Sequence, residues 1–403
     1  MTTENTSSQP NSKWLLALLL LLWARYPLWD FIGGAFSYVP GFNSLSEYSI
    51  AIITGVLAII SLNEIAKRIR ISDILFYVVV VAVYFISYSL HPENQSVLDE
   101  RYTQKFLLTV LPYYFMGILI NMDKCEKDFL YTSYFSILCQ FIYVFVLNKG
   151  GIIGNETDDM IGHAYNLLPH VTYIAYWLIE KKTLSSVLFF AIGFLLMISM
   201  ANRGSIVCLF SFMFLYYVIT RVYKQKFSTK LTVIVGGSLL IVFLNPLTTA
   251  LLNFMSGLNL NTRVVDKVLT FTFMESEGRS DITDAIFKSF GENVFEMHGI
   301  GGENQLGIIY AHNLLIEWWY SFGIIIGSIL MISLLYLIIK AFLKSTGVSK
   351  AFLLLLITSG FECLFLSGTY LSNQLFFMLI GYSVGCIRRS KDNRLDLFVR
   401  THK

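Results

Sequence analysis

Charged side chains are scarce in this sequence. Asp, Glu, Lys and Arg make up 14% of its 403 residues, whereas a water-soluble surface takes roughly a quarter. So few charges cannot cover a globular exterior, and the hydrophobic share of 55% and mean hydropathy of +0.62 point to a membrane protein. Cysteine is also sparse. The five thiols are Cys125, Cys139, Cys208, Cys363 and Cys386, four of them in apolar runs, so neither a disulfide framework nor a metal spacing is implied. The net charge of +3 is too small to imply nucleic acid. G-x-x-x-x-G-K-[ST] and H-E-x-x-H are both missing, which removes the usual footholds for ATP hydrolysis and for zinc-hydrolase chemistry. No D-x-D occurs either; Glu156 and Asp158 come nearest to a carboxylate pair, and neither a metal nor a cofactor is implied.

What is present is apolar length. A bilayer core of about 30 Å takes about 20 apolar residues per helix, and such runs fall near 14–34, 44–62, 72–90, 104–121, 129–147, 161–179, 184–201, 204–220, 231–250, 314–339, 350–367 and 370–387. The expected fold is an all-α integral membrane protein of about 12 transmembrane helices, forming one polytopic domain over 1–403. The first run has a signal-like core, but Arg25, Tyr26 and Pro27 stand where small cleavage-site residues belong, so it reads as an uncleaved span. With the N-terminus inside, twenty-one of the thirty Lys and Arg residues fall on the cytoplasmic side. Both termini are then cytoplasmic. Two longer segments face outward: 148–160, and a loop of about sixty residues over 251–311, too long for a mere connector.

Candidate chemistry gathers on that outer side. Arg203 sits in the turn between the seventh and eighth runs, where a guanidinium either snorkels or holds an anionic headgroup. Arg279 precedes an amphipathic stretch that Ser280 or Asp281 would cap, with Ile286, Phe287 and Phe290 on one face; it either pairs with Glu275, Glu277 or Asp281 or binds an anion. His312 opens an apolar run to Lys340, about 43 Å if straight, which overshoots the bilayer and leaves Trp318, Trp319 and Tyr320 at the interface. There His312 is either a helix-start histidine bonded to loop backbone or a base near the headgroup plane. His163 and His170 read as structural, and Gly299, Gly301, Gly302 and Gly307 as a loop whose amides could cradle phosphate.

Taken together, Asn202–Ser205 (N-R-G-S), Gly278-Arg279, Gly299-x-Gly301, His312-Asn313 and Gly323 with Gly327 resemble the O-antigen polymerase and ligase superfamily. The motif match covers about eighty residues. The resemblance implies glycosyl transfer at the periplasmic face of the bacterial inner membrane. The substrate would be an oligosaccharide on undecaprenyl diphosphate, and a chain-length regulator membrane protein would be a partner. It implies Arg203 and Arg279 as the diphosphate clamp, His312 as general base and Asn313 as a substrate-orienting residue, with Glu317 and Asp281 as reserve bases. Val207, where the ligase pattern has leucine, and the wider Gly323–Gly327 spacing favour polymerase over ligase. A lipid-linked sugar flippase is the alternative from another class; the absence of an internal repeat and the outward grouping of polar residues weigh against it.

Overall fold

The computed structural model describes residues 12–36, 42–147, 158–200, 202–222, 279–290 and 295–401. Among these it is all-helical, with no strand. The principal helices are α1 (Lys13–Ala35), α2 (Phe42–Ile60), α3 (Leu62–Arg68), α4 (Ile71–Leu90), α5 (Tyr113–Leu119), α6 (Met122–Ile142), α7 (Asp158–Lys181), α8 (Leu184–Ser199), α9 (Arg203–Tyr217), α10 (Arg279–Phe290), α11 (Leu314–Lys344), α12 (Gly347–Leu356) and α13 (Gln374–Thr401).

Among the described residues five helices are long and apolar enough to cross a membrane: Lys13–Ala35, Ile71–Leu90, Met122–Leu147, Leu314–Lys344 and Gly347–Phe365. A sixth is added if Ser49–Ile60 and Leu62–Arg68, bent by 68°, form one span. The apolar runs at 184–201 and 204–220 become shorter helices. The run at 104–121 is divided, with a π-helical turn at Phe106–Val110 and then Pro112 ahead of α5. The run at 231–250 lies outside the described residues, as do 148–157 of the first loop and 251–278 and 291–294 of the second.

The chain forms two compact units. In the unit made of 20–58 and 125–275, α7 packs on α8 and α9. Trp23 donates its indole N–H to Ser133 at 3.2 Å, and His170 lies fully enclosed with its ring edge-on to Trp23. Asn202 caps α9 by accepting the Ser205 N–H at 3.1 Å.

In the unit made of 1–19, 59–124 and 276–403, α13 crosses α5. The sequence Gly381-Tyr-Ser-Val-Gly385 is a G-x-x-x-G, and its first glycine lies on the α5 backbone. A Cβ built at Gly381 would lie 1.9 Å from the Tyr114 carbonyl oxygen, and one at Gly117 would lie 2.2 Å from that of Met378. Asp73, enclosed at the start of α4, takes a forked ion pair from Arg388 of α13, one arm at 2.6 Å, and also receives the Tyr114 hydroxyl.

Gly381→Ala is expected to force the α5–α13 crossing apart and cost about 1–3 kcal/mol, read as a lower unfolding temperature of the purified protein in detergent. Gly55→Ala, where a Cβ meets nothing within 4 Å, should leave it unchanged. Equal behaviour of the two variants would contradict the close crossing.

Candidate functional site

The run that opens at His312 is not one straight helix. α11 begins at Leu314 and breaks at Gly323, whose φ of 76° and ψ of 158° only glycine adopts readily. The chain then folds back. A Cβ at Gly327 would lie 2.8 Å from the Trp318 carbonyl carbon and oxygen, and the Trp319 indole N–H donates to Ser328 at 2.9 Å. The first half of α11 thus lies against the start of the second, so the expected single straight run from His312 to Lys340 is corrected: it is broken at Gly323. The portion from Gly323 to Lys344 still has length for a span, about 31 Å.

A helix that ends early leaves carbonyls without partners. Here the loop before α11 supplies the missing donors: His298 N–H bonds the Tyr320 carbonyl at 3.2 Å and Gly299 N–H bonds that of Ser321 at 3.1 Å. The same loop is bolted to the end of α4 and the turn after it. Asn94 donates to the His298 and Ile300 carbonyls, and Ile300 N–H reaches Ser87 Oγ at 2.8 Å. Gly299 and Gly301 both take left-handed φ of 75°. The amides of Gly299, Gly302 and Gly307 are spent on protein carbonyls. That overturns the phosphate-cradle reading of this stretch.

His312 has a φ of 53°, the left-handed region that few non-glycine residues occupy. It forms the corner between loop and helix, half-buried, its ring 4.3 Å from that of Tyr310. Asn313 is the N-cap, its Oδ1 accepting the Leu315 N–H at 3.0 Å and the Ile316 N–H at 3.4 Å. The amide oxygen is therefore occupied in holding the helix, a role the sequence reading did not give it.

α10 joins the same corner. Ile286 and Phe290 of α10, Ile308 and Ala311 of the loop, and Ile316 and Tyr320 of α11 form one hydrophobic cluster. The helix starts at Arg279, so Ser280 and Asp281 belong to its first turn instead of capping it, and Phe287, expected on the buried face, is 48% exposed. Four motifs separated by up to fifty residues of sequence, beginning at Arg279, at Gly299-x-Gly301, at His312-Asn313 and at the glycine pair, are thus held around one cluster. The Arg279 side chain lies outside the described residues. So does that of Arg203, at the first position of α9 in the other unit.

The remaining candidates divide. Glu317, a reserve base, is 1% exposed and therefore out of reach of an acceptor hydroxyl, while Asp281 is exposed. His163 bonds Asp30 at 2.8 Å and His170 is a core residue, both in keeping with structural roles. All five cysteines are buried. Among the described residues no three His, Cys, Asp or Glu side chains come together as metal ligands. Sequence reasoning missed Glu303, which is 2% exposed, as well as Thr369 and Tyr370. Burial pushes the Glu303 carboxyl up to about 7, against the pull of its own backbone N–H. The signal available was Glu317 itself, an acid inside the apolar run L-L-I-E-W-W-Y.

No family model, no curated protein and no solved structure matches this chain.

The capping role of Asn313 makes a separable prediction. Asn313→Ala should cost about 1 kcal/mol of stability, and Asn313→Ser should recover most of it. If serine restores thermal stability but not function, the Nδ2 amide has a second task beyond the cap; if it restores neither, the cap is not what Asn313 contributes.

Proposed function

We propose that this chain is an O-antigen polysaccharide polymerase, a membrane glycosyltransferase that joins repeat units carried on undecaprenyl diphosphate. In this reading the protein is a multi-pass protein of the bacterial inner membrane, with about twelve spans, both termini cytoplasmic and its reactive side toward the periplasm. One observation supports the reading: the helix α10, which starts at Arg279, the loop that carries Gly299-x-Gly301 and His312-Asn313, and the first half of α11, which ends at Gly323, meet at one hydrophobic cluster.

The chemistry follows from the residue types. The donor is already activated, because its anomeric carbon carries a diphosphate. Its departure needs cations that do not titrate and can grip two oxygens at once, which is arginine's geometry. Arg203 and Arg279 take that role, with no metal in the mechanism. The acceptor sugar hydroxyl gives its proton to the His312 imidazole as its oxygen attacks the anomeric carbon; the bond to the diphosphate breaks and undecaprenyl diphosphate leaves. The Asn313 side chain orients the acceptor through its Nδ2 amide. The left-handed backbone at His312 fits this role, since strained backbone collects where a side chain is held for function. Transfer to lipid A-core by a ligase is the second reading; the Gly323–Gly327 spacing and Val207 favour the polymerase.

His312→Gln keeps a polar side chain but removes a base titrating near neutral pH. It should accumulate normally and lower the polymerisation rate about 10²–10⁴-fold, read as the ladder of glycan lengths in cells carrying only the variant. Arg279→Lys should lose most activity, since a point charge does not replace a planar fork. A normal ladder from His312→Gln at normal protein levels would remove the base assignment.

A further inference from the structure

Gln140 brings an amide into the apolar interior of α6. It is 0% exposed, and neither its Oε1 nor its Nε2 meets a hydrogen-bond partner among the described residues. Ser136, one turn earlier, is equally enclosed, and its hydroxyl is also unpartnered. Enclosing such groups dry is costly, and buried polar side chains in folded proteins bond to protein or to ordered water.

Contacts fix both ends of the seam in which these two residues lie, within the unit made of 20–58 and 125–275. At one end Ser133 of α6 accepts the Trp23 indole N–H of α1 at 3.2 Å and lies 3.4 Å from Nδ1 of His170 on α7. At the other, about 15 Å further along, the Tyr143 ring lies 5.3 Å from that of His163 on α7. A Cβ built at Gly34 of α1 would lie 2.7 Å from the same tyrosine ring, and His163 bonds Asp30 of α1 at 2.8 Å. Ser133, Ser136, Gln140 and Tyr143 follow at intervals of three and four, so they share one face of α6. His163, Asn166 and His170 keep the same interval on α7. Ser136 and Gln140 are therefore held between a Trp23–Ser133–His170 layer and an Asp30–His163–Tyr143 layer, flanked at both ends by α1 and α7.

We propose that α1, α6 and α7 enclose an internal water site at Gln140 and Ser136, and that its water joins the Asp30–His163 pair to His170 in one hydrogen-bonded file. Water is the ligand these groups fit. Gln140 offers a donor and an acceptor and the Ser136 hydroxyl offers either, which meets the about two to four polar partners that an enclosed water takes. The amide carries no charge to hold an ion, and its full enclosure suits a small molecule instead of a sugar or a lipid. The consequence falls on His170. Its ring is 1% exposed, yet it exchanges protons with the Asp30–His163 pair along the file, as acids and histidines do in intramembrane relays. The inference does not rest on glycosyl transfer, and it concerns the unit that does not hold the His312 corner.

The experiment is X-ray hydroxyl-radical footprinting of the full-length wild-type protein in lipid nanodiscs, where radicals made from bound water oxidise the side chains beside it. Trp23 and His170, 5% and 1% exposed, should be oxidised. Met378 of the other unit, 0% exposed, should not, although a thioether is the more reactive group. Gln140→Leu should remove the label from His170 and lower the unfolding temperature in detergent, since the water loses its partners. No label at Trp23 and His170 in wild type would overturn the proposal, and so would label at Met378 to the same extent, which would report general opening. A higher unfolding temperature for Gln140→Leu would also overturn it, because that is the response when a dry, unbonded amide gives way to an apolar side chain. So would a rise in the wild-type unfolding temperature in sodium chloride over choline chloride that Gln140→Leu abolishes, which would make the ligand a cation. The wild-type labelling decides whether or not the variant accumulates.

Discussion

At Gly323 the backbone reverses inside an apolar run, and the reversal sets what surrounds it. A half-helix that stops within a hydrophobic environment exposes carbonyls that lipid cannot satisfy, so protein must. The 295–313 loop does this with the N–H groups of His298 and Gly299, and it can lie so close because Asn94 and Ser87 hold it from the other side. Its path then turns through His312 with a left-handed backbone, and Asn313 caps the helix that the loop has just completed. Loop, corner and half-helix form one closed hydrogen-bonding circuit. α10 docks on that circuit through Ile286 and Phe290, which brings the helix that starts at Arg279 to the same place.

The circuit explains why polar and charged groups concentrate in a chain so short of them. Backbone reversals within membrane proteins are tolerated where protein buries them or where they line a polar site. Here the reversal is accompanied by two enclosed carboxyls, a buried tyrosine hydroxyl and a strained histidine. The carboxyls are inside, while the histidine sits half-exposed at the corner. By burial alone, Glu317 is removed from the reserve bases.

Apolar length and motif order were legible in the sequence; direction was not. Lys13–Ala35, Ile71–Leu90 and Met122–Leu147 appear as helices where hydropathy put them. The run after His312 was also found, yet hydropathy has no memory of chain direction, and a folded-back pair of helices has the same apolar composition as a straight one. Gly323 and Gly327 carried the missing information, but a glycine pair in a sequence does not say whether it bends a chain or packs a neighbour. Here one does each. Asn313 was similarly ambiguous: an asparagine beside a histidine suits substrate binding and helix capping alike, and only the Leu315 and Ile316 amides decide that it caps. Glu303 left little trace because a single acid in a glycine-rich loop looks solvent-exposed until the loop is seen to be docked.

The central claim is that this chain by itself joins lipid-diphosphate-linked sugar units, and reconstitution tests it most directly. The purified full-length protein in bilayers would be supplied with undecaprenyl diphosphate-linked repeat units taken from cells lacking it, with EDTA present and no nucleotide. The account predicts a ladder of lengthened carrier-linked glycans and release of undecaprenyl diphosphate in step with each addition. Units that remain single while being moved across the bilayer, or that are transferred only when lipid A-core is added, would contradict it.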